Sequence, residues 1–217
     1  MMFRSFGFDE FLLLLDGLRW TLALTALAFA GGGALGLALL VMRIAKLRAL
    51  RWLATGWIQA VQGTPLLGHL FVIFFGLPLV GFDVSRWVAA TVALSVYGSA
   101  FLAEIWRGAV DAIPRGQWEA AAALGLPPLA QLRLVILPQA LTIAIPPTVG
   151  FLVQLVKNTS LASIIGLVEL SRRAQLVNGA TFAPFTVYGV TAVLYFCLCF
   201  PLTRWSRVLE RARAGKR

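Results

Sequence analysis

The stretch GQWEAAAALGLPPLAQLRLVILPQA, Gly116 to Ala140, is mostly apolar, yet it is broken twice, by Gly125-Leu126-Pro127-Pro128 and again by Pro138. Gly116 to Leu124 can form about nine helical residues, roughly 14 Å, far too short to cross a bilayer. Ala120 to Ala123 give that helix high propensity and a slim profile. Glu119 lies in its early part, where a negative charge suits the helix dipole. Gly125 is placed as a left-handed cap, with Leu126 after it for the apolar contact of a Schellman ending. Pro127 and Pro128 stop the helix and can start the next. The expected product is a short helix, a fixed turn and a helix that enters a membrane. A helix resting on lipid headgroups is the competing reading, but an alanine face has little bulk to insert. A slim surface helix suits the groove of another protein better.

Working outward, the chain has 217 residues, 59% hydrophobic and 13% charged, with a mean hydropathy of +0.84. Soluble domains carry about a quarter charged residues, so the class is an integral membrane protein. Five runs lack Asp, Glu, Lys and Arg: Trp20–Met42, Trp52–Phe82, Trp87–Ala103, Leu134–Val156 and Phe185–Thr203. A crossing helix needs about 20 such residues, and runs of this length exclude barrel strands. The reading is therefore an all-α integral membrane protein with five transmembrane helices, at about 20–42, 55–79, 87–106, 134–156 and 185–204. Residues 1–217 form one transmembrane domain without internal repeats. Lys157 to Pro184 is long and semi-polar, and is expected to hold a re-entrant or short packed helix. The first run is too long for a signal peptide and ends on no small-residue cleavage site. Cys197 and Cys199 are two apart in an apolar run and read as packing residues.

The net charge of +10 lies between the apolar runs, which fits the basic cytoplasmic loops of membrane proteins rather than nucleic-acid binding. With the N-terminus outside, thirteen of the nineteen Lys and Arg residues fall on the cytoplasmic side. That orientation also puts residues 111–130, and the opening stretch, in the cytoplasm.

EAAAALG followed by ILPQA resembles the EAA loop of ABC importer permeases: E-A-A, three residues, G, then I-L-P downstream. AEIWRGAVDAIPRGQWEAA (Ala103 to Ala121), GTPLL (Gly63 to Leu67) and KNTSLASIIGLVEL (Lys157 to Leu170) are similar to the polar amino-acid permeases of the histidine/glutamine type. The resemblance runs over nearly the whole chain, with its four motifs in order. It implies the type I transmembrane-domain fold of ABC importers and a bacterial inner-membrane location. It implies that the loop docks into a cytoplasmic ATPase, with Glu119, Ala120, Ala121, Gly125 and Pro138 as the coupling residues. It implies a second permease subunit (a copy or a sister chain), two ABC ATPase subunits and an external amino-acid binding protein as partners, with lipid around them. Gln62 stands where that subfamily carries arginine before GTPL, so no ion pair is carried over from that position.

No G-x-x-x-x-G-K-[ST] phosphate loop occurs, so ATP and Mg are expected to belong to a separate chain. Gly31-Gly32-Gly33, with Gly32 and Gly36 spaced G-x-x-x-G, reads as close helix packing. No metal-ligand spacing or catalytic constellation is present, and His69 is the only histidine. Polar groups inside spans face a bundle interior or a watery cavity. The candidate solute path is Gln62, Thr64, His69, Tyr97, Gln154, Lys157, Asn158, Thr159 and Ser160, on spans two to four. Gln59, Ser95 and Ser99 are further candidates, and any single polar residue in these spans can equally serve helix packing. Pro65 and Pro146-Pro147 break spans two and four, as expected beside a cavity. Glu104 and Arg107 can pair on one helix face. The leading function is the membrane subunit of an ATP-driven amino-acid importer. An ion-gradient-driven secondary transporter is the alternative, and it lacks carboxylates in its spans except Glu104. A membrane anchor for a cytoplasmic complex is a third reading, which the proline-broken polar spans disfavour.

Overall fold

The computed structural model describes residues 5–214, which are almost entirely helical. The long helices are α1 (Phe8–Ile44), α4 (Arg86–Asp111), α6 (Pro128–Ile165) and α8 (Pro184–Ala214). Between them lie α2 (Arg48–Gln62), α3 (Leu66–Leu79), α5 (Arg115–Ala123) and α7 (Leu170–Thr181). The four long helices are each apolar enough to cross a membrane.

The expected second span, 55–79, is not one helix. α2 and α3 meet at a bend of 99°. Pro65 has no N–H to give to a helix and forces Thr64 out of helical geometry, so the chain turns at Gly63-Thr64-Pro65. At 15 residues α2 is about 22 Å long, too short for the hydrocarbon core by itself. A fifth crossing exists only as this broken pair.

The other boundaries also move. α1 begins twelve residues before the expected start at Trp20. Its added turns carry Asp16, which pairs with Arg19 and with Arg173 of α7, both at 2.6 Å. α6 begins at Pro128 instead of 134 and continues to Ile165 rather than ending at 156. A π-helical stretch, Gln131–Ile136, lies just ahead of Pro138, which supplies no N–H to the ladder. The semi-polar segment resolves into the 3₁₀ end of α6 (Thr159–Ile165), a left-handed Gly166 and the short packed helix α7.

The centre is built on close helix approach. α1 packs most extensively on α4, with Leu24, Ala28, Ala90, Ala93, Phe151 and Leu155 among the core. A methyl group on Gly32 would sit 3.1 Å from the Ser95 carbonyl oxygen, and one on Gly36 3.0 Å from that of Ser99. The G-x-x-x-G reading is therefore a contact surface, as membrane helices use small residues. Ser95 donates to the Ala28 carbonyl and Ser99 to that of Val96, so both serve packing instead of a path. Cys197 is exposed and Cys199 buried, on different faces as expected.

Candidate functional site

The short helix of the opening stretch forms as α5, nine residues long. Its end is a Schellman motif: Gly125 N donates to the Ala122 oxygen and Leu126 N to the Ala121 oxygen. Gly125 is left-handed, at φ +72°. Trp118 and Ile113 pack with Ile136 and Ala140 at the base of α6. Gln139 Nε2 donates to Gln117 Oε1 at 3.1 Å, and Gln131 Nε2 to the Leu126 carbonyl at 2.7 Å. These contacts tie α5 and its turn to α6 as one lever. Glu119, Ala120, Gly125 and Pro138 are exposed. Ala121 is not: it is 2% exposed, so it seats the helix on its own chain and offers no surface to a partner.

Glu104 and Arg107 pair as expected, Nη2 to Oε2 at 2.7 Å. Two neighbours join them. Arg43 of α1 reaches Glu104 at 3.4 Å and also bonds Thr55 of α2, while Arg107 also holds Asp111. This cluster joins α1, α2 and α4 just ahead of α5.

The expected path residues separate into groups. Thr64 Oγ1 and His69 Nε2 are 2.8 Å apart, bridging the break between α2 and α3, and Thr64 also donates to the Ala60 carbonyl. Gln62 Nε2 donates to the Ala100 carbonyl at 3.4 Å. Tyr97 lies against Phe101 and Phe151 in an aromatic stack. Gln154 donates to Asn158 at 3.2 Å, and Asn158 faces Leu66 and Leu70 of α3 across a small gap. The run Lys157 to Ser160 does not act as one cluster. Thr159 is fully buried and donates to the Val156 carbonyl, so it belongs to the core. Ser160 donates to the Lys157 carbonyl. Lys157 points to the other side of α6, into a groove of about 590 Å³ against α8.

That groove holds residues the path reading missed. Tyr195, Thr203, Arg204, Arg207 and Arg211 line it from α8. The signal was present as the spacing of Arg204, Arg207 and Arg211, which puts all three on one helix face.

A second missed residue is Glu169, fully buried at the start of α7. Its carboxylate accepts from the amides of Ser171 (3.0 Å) and Arg172 (2.8 Å) and from the Tyr195 hydroxyl (3.1 Å). Thr21 of α1 donates to it at 3.4 Å. Burial raises its pKa above the ordinary carboxylate range, against those hydrogen bonds. It ties α1, α7 and α8 together at the end of the molecule opposite α5.

The family described as the binding-protein-dependent transport system inner membrane component matches residues 32–215. The chain is 38% identical over 207 residues to the probable glutamine ABC transporter permease protein GlnM of Bacillus subtilis, covering 95% of this chain and 96% of that protein. It is 35% identical over 206 residues to the probable amino-acid ABC transporter permease protein YckA of the same organism, covering 95% and 91%. Its fold is similar to a chain of a crystal structure of an amino acid ABC transporter with histidines, at a TM-score of 0.89 and 30% identity, covering 96% of this chain and 100% of that one.

Proposed function

Because the chain belongs to the family of inner-membrane components of binding-protein-dependent transport systems, we propose that it is the permease subunit of an ATP-driven amino-acid importer. The observation that carries the reading is α5: a capped surface helix, exposed along Glu119, Ala120 and Gly125 and clamped by Trp118 to the base of a spanning helix. Such a helix converts movement of a docked ATPase into movement of α6. Two permease subunits surround one path, two ATPase chains dock on their α5 helices, and an external binding protein delivers the amino acid. The N-terminus lies outside. ATP and Mg are handled by the ATPase chains.

Ion-gradient coupling is the weaker reading. Glu104, the carboxylate expected to serve it, is held by Arg43 and Arg107 and is not free to take up and release a cation.

The test is uptake of a labelled amino-acid panel by cells expressing the chain with its neighbouring genes, under ATP depletion and, separately, under collapse of the ion gradients. Loss on ATP depletion alone is expected. Loss on gradient collapse with ATP intact refutes the proposal.

A further inference from the structure

We propose that the groove between α1, α4 and α6 seats one acyl chain of a phospholipid, and that this lipid stiffens the joint between the docking helix α5 and α6. This rests on the transport reading above, which supplies the second permease subunit and the lever. The groove has a volume of about 310 Å³. Ala34 and Leu37 of α1, Trp106 and Val110 of α4, and Leu141 and Ala144 of α6 line it.

The walls narrow what can fill it. All three helices contribute from within their membrane-spanning stretches. Every lining side chain is apolar except Trp106, whose indole N–H is already given to Thr148 Oγ1 at 3.1 Å. Water, an ion or a polar solute finds no partner there, and apolar cavities stay dry. Left empty, the lining would forfeit its dispersion contacts. Leu37 and Leu141 on the walls are 54% and 61% exposed, so the groove is open to the bilayer.

A helix of the second permease subunit is the competing occupant, and α6 itself argues against it. Pro147, Gly150 and Gln154 are exposed on the far side of α6. Gly150 is nine residues from Leu141, two and a half turns. Gln154 in a spanning helix is costly against lipid and needs a path or a partner. A subunit that shares one path with this chain therefore covers that side and leaves the leucine side to lipid. Charge agrees. Arg133 is exposed and stands four residues before Leu137, another lining residue, so it lies one turn toward α5 on the same side. A phosphate at that level meets the arginine while its chain lies along the groove.

The floor of the groove is shared with the lever. Val110 and Ala140 line it and also pack with Ile113, Ile136 and Trp118, which anchor α5. A chain in the groove therefore backs that joint from behind. Without it the joint faces a void, and its side chains have room to shift when α5 is pulled.

The experiment is native mass spectrometry of the permease–ATPase complex, purified in a maltoside detergent and washed until bulk phospholipid is gone. One phospholipid per permease chain is expected to remain. A Cβ added at Gly33, which also lines the groove, meets only Trp106, at 3.8 Å, so a larger side chain there grows into the groove. Gly33→Leu and Ala34→Phe are expected to cut retention at least about tenfold. Leu35→Phe, on an exposed side chain outside the groove, is expected to keep it. Arg133→Gln is expected to lower it about threefold, the scale of one exposed charge pair, and Arg133→Lys to preserve it. Hydrogen exchange of residues 113–125 reads the joint. Adding phosphatidylglycerol to the stripped wild-type complex is expected to slow that exchange, and in Gly33→Leu it is slow without lipid. No lipid on the wild type, or equal retention in the wild type and both filled variants, overturns the proposal. If the filled variants do not fold, equal retention in Arg133→Gln and Arg133→Lys overturns it. A disulfide between two permease chains at Ala34→Cys, made in a Cys197→Ala, Cys199→Ala background, gives the groove to the second subunit instead. Exchange that ignores added lipid overturns the link to α5. Uptake that survives ATP depletion sinks the transport reading, whereas retention is read without transport, so the two failures stay distinct.

Discussion

Gly125 and Gly32 show two different uses of the smallest residue. At Gly125 the backbone is left-handed, and a side chain would meet nothing within 4 Å. Gly125→Val therefore costs only backbone strain, on the order of 1–3 kcal/mol. It is expected to fray the end of α5 and weaken co-purification of the ATPase, while Gly125→Asn, which tolerates this conformation, keeps it. Unchanged co-purification and uptake in the valine variant would show that the docking surface lies elsewhere. At Gly32 the backbone is helical and the space is absent. Gly32→Leu is expected to separate α1 from α4 and lower the melting temperature sharply in detergent. Gly56, in the interior of α2 with nothing within 4 Å, is the control. Gly56→Ala is expected to raise stability by up to about 1 kcal/mol through helix propensity. Both glycines were visible in the chain, but only the neighbours at Gly32 separate a packing glycine from a spare one.

α5 is legible in the sequence, because its length, its alanines and its Gly-Leu-Pro-Pro ending are local signals. Its anchoring is not, because Trp118 meets Ile136 and Ala140 across the turn. Trp118→Ala is expected to loosen α5 from α6, lowering uptake per ATP hydrolysed more than hydrolysis itself; a ratio that stays constant would detach the lever from coupling. At the other end, Glu169 knits α1, α7 and α8. Its folded pKa is raised, so the folded state holds the proton more tightly than the unfolded chain. The stability it contributes is complete below the ordinary carboxylate pKa and is lost as pH rises through the raised value. Glu169→Gln imitates the protonated form. The melting-temperature gap between that variant and the parent is expected to widen in favour of the variant as pH rises across that window. A gap that does not change with pH would mean that folding leaves the pKa of this carboxyl unshifted. Glu169 escaped notice because a single glutamate near a span end looks like an ordinary surface charge, and nothing local to it reports burial.

Across the whole molecule, ion pairs hold distant helices together. Arg43, Glu104 and Arg107 clamp α1, α2 and α4 ahead of the docking helix. Glu104→Gln takes the shared carboxylate from two arginines at once, leaving Arg107 with Asp111 and Arg43 with Thr55. It is expected to lower the melting temperature by roughly 2–8 °C, the shift for about 1–2 kcal/mol in a chain of this size, and a smaller change would make the cluster a surface feature. The sequence by itself determined the class, the four long crossings, the capped surface helix and the separate energy source, since apolar run length, turn chemistry and a missing phosphate loop are all properties of neighbours in the chain. It also marked the break at Pro65, though not that the two arms diverge by 99°. The tertiary structure alone decided which face each polar side chain meets. Lys157 and Asn158 are adjacent in the chain yet look toward α8 and α3. Thr159 follows them into the core, and Arg204 and Arg207 join Lys157 from more than forty residues away. One residue along a helix is a turn of about 100°, so neighbours in the chain diverge, and what they meet is settled by helices that cross them from distant parts of the chain.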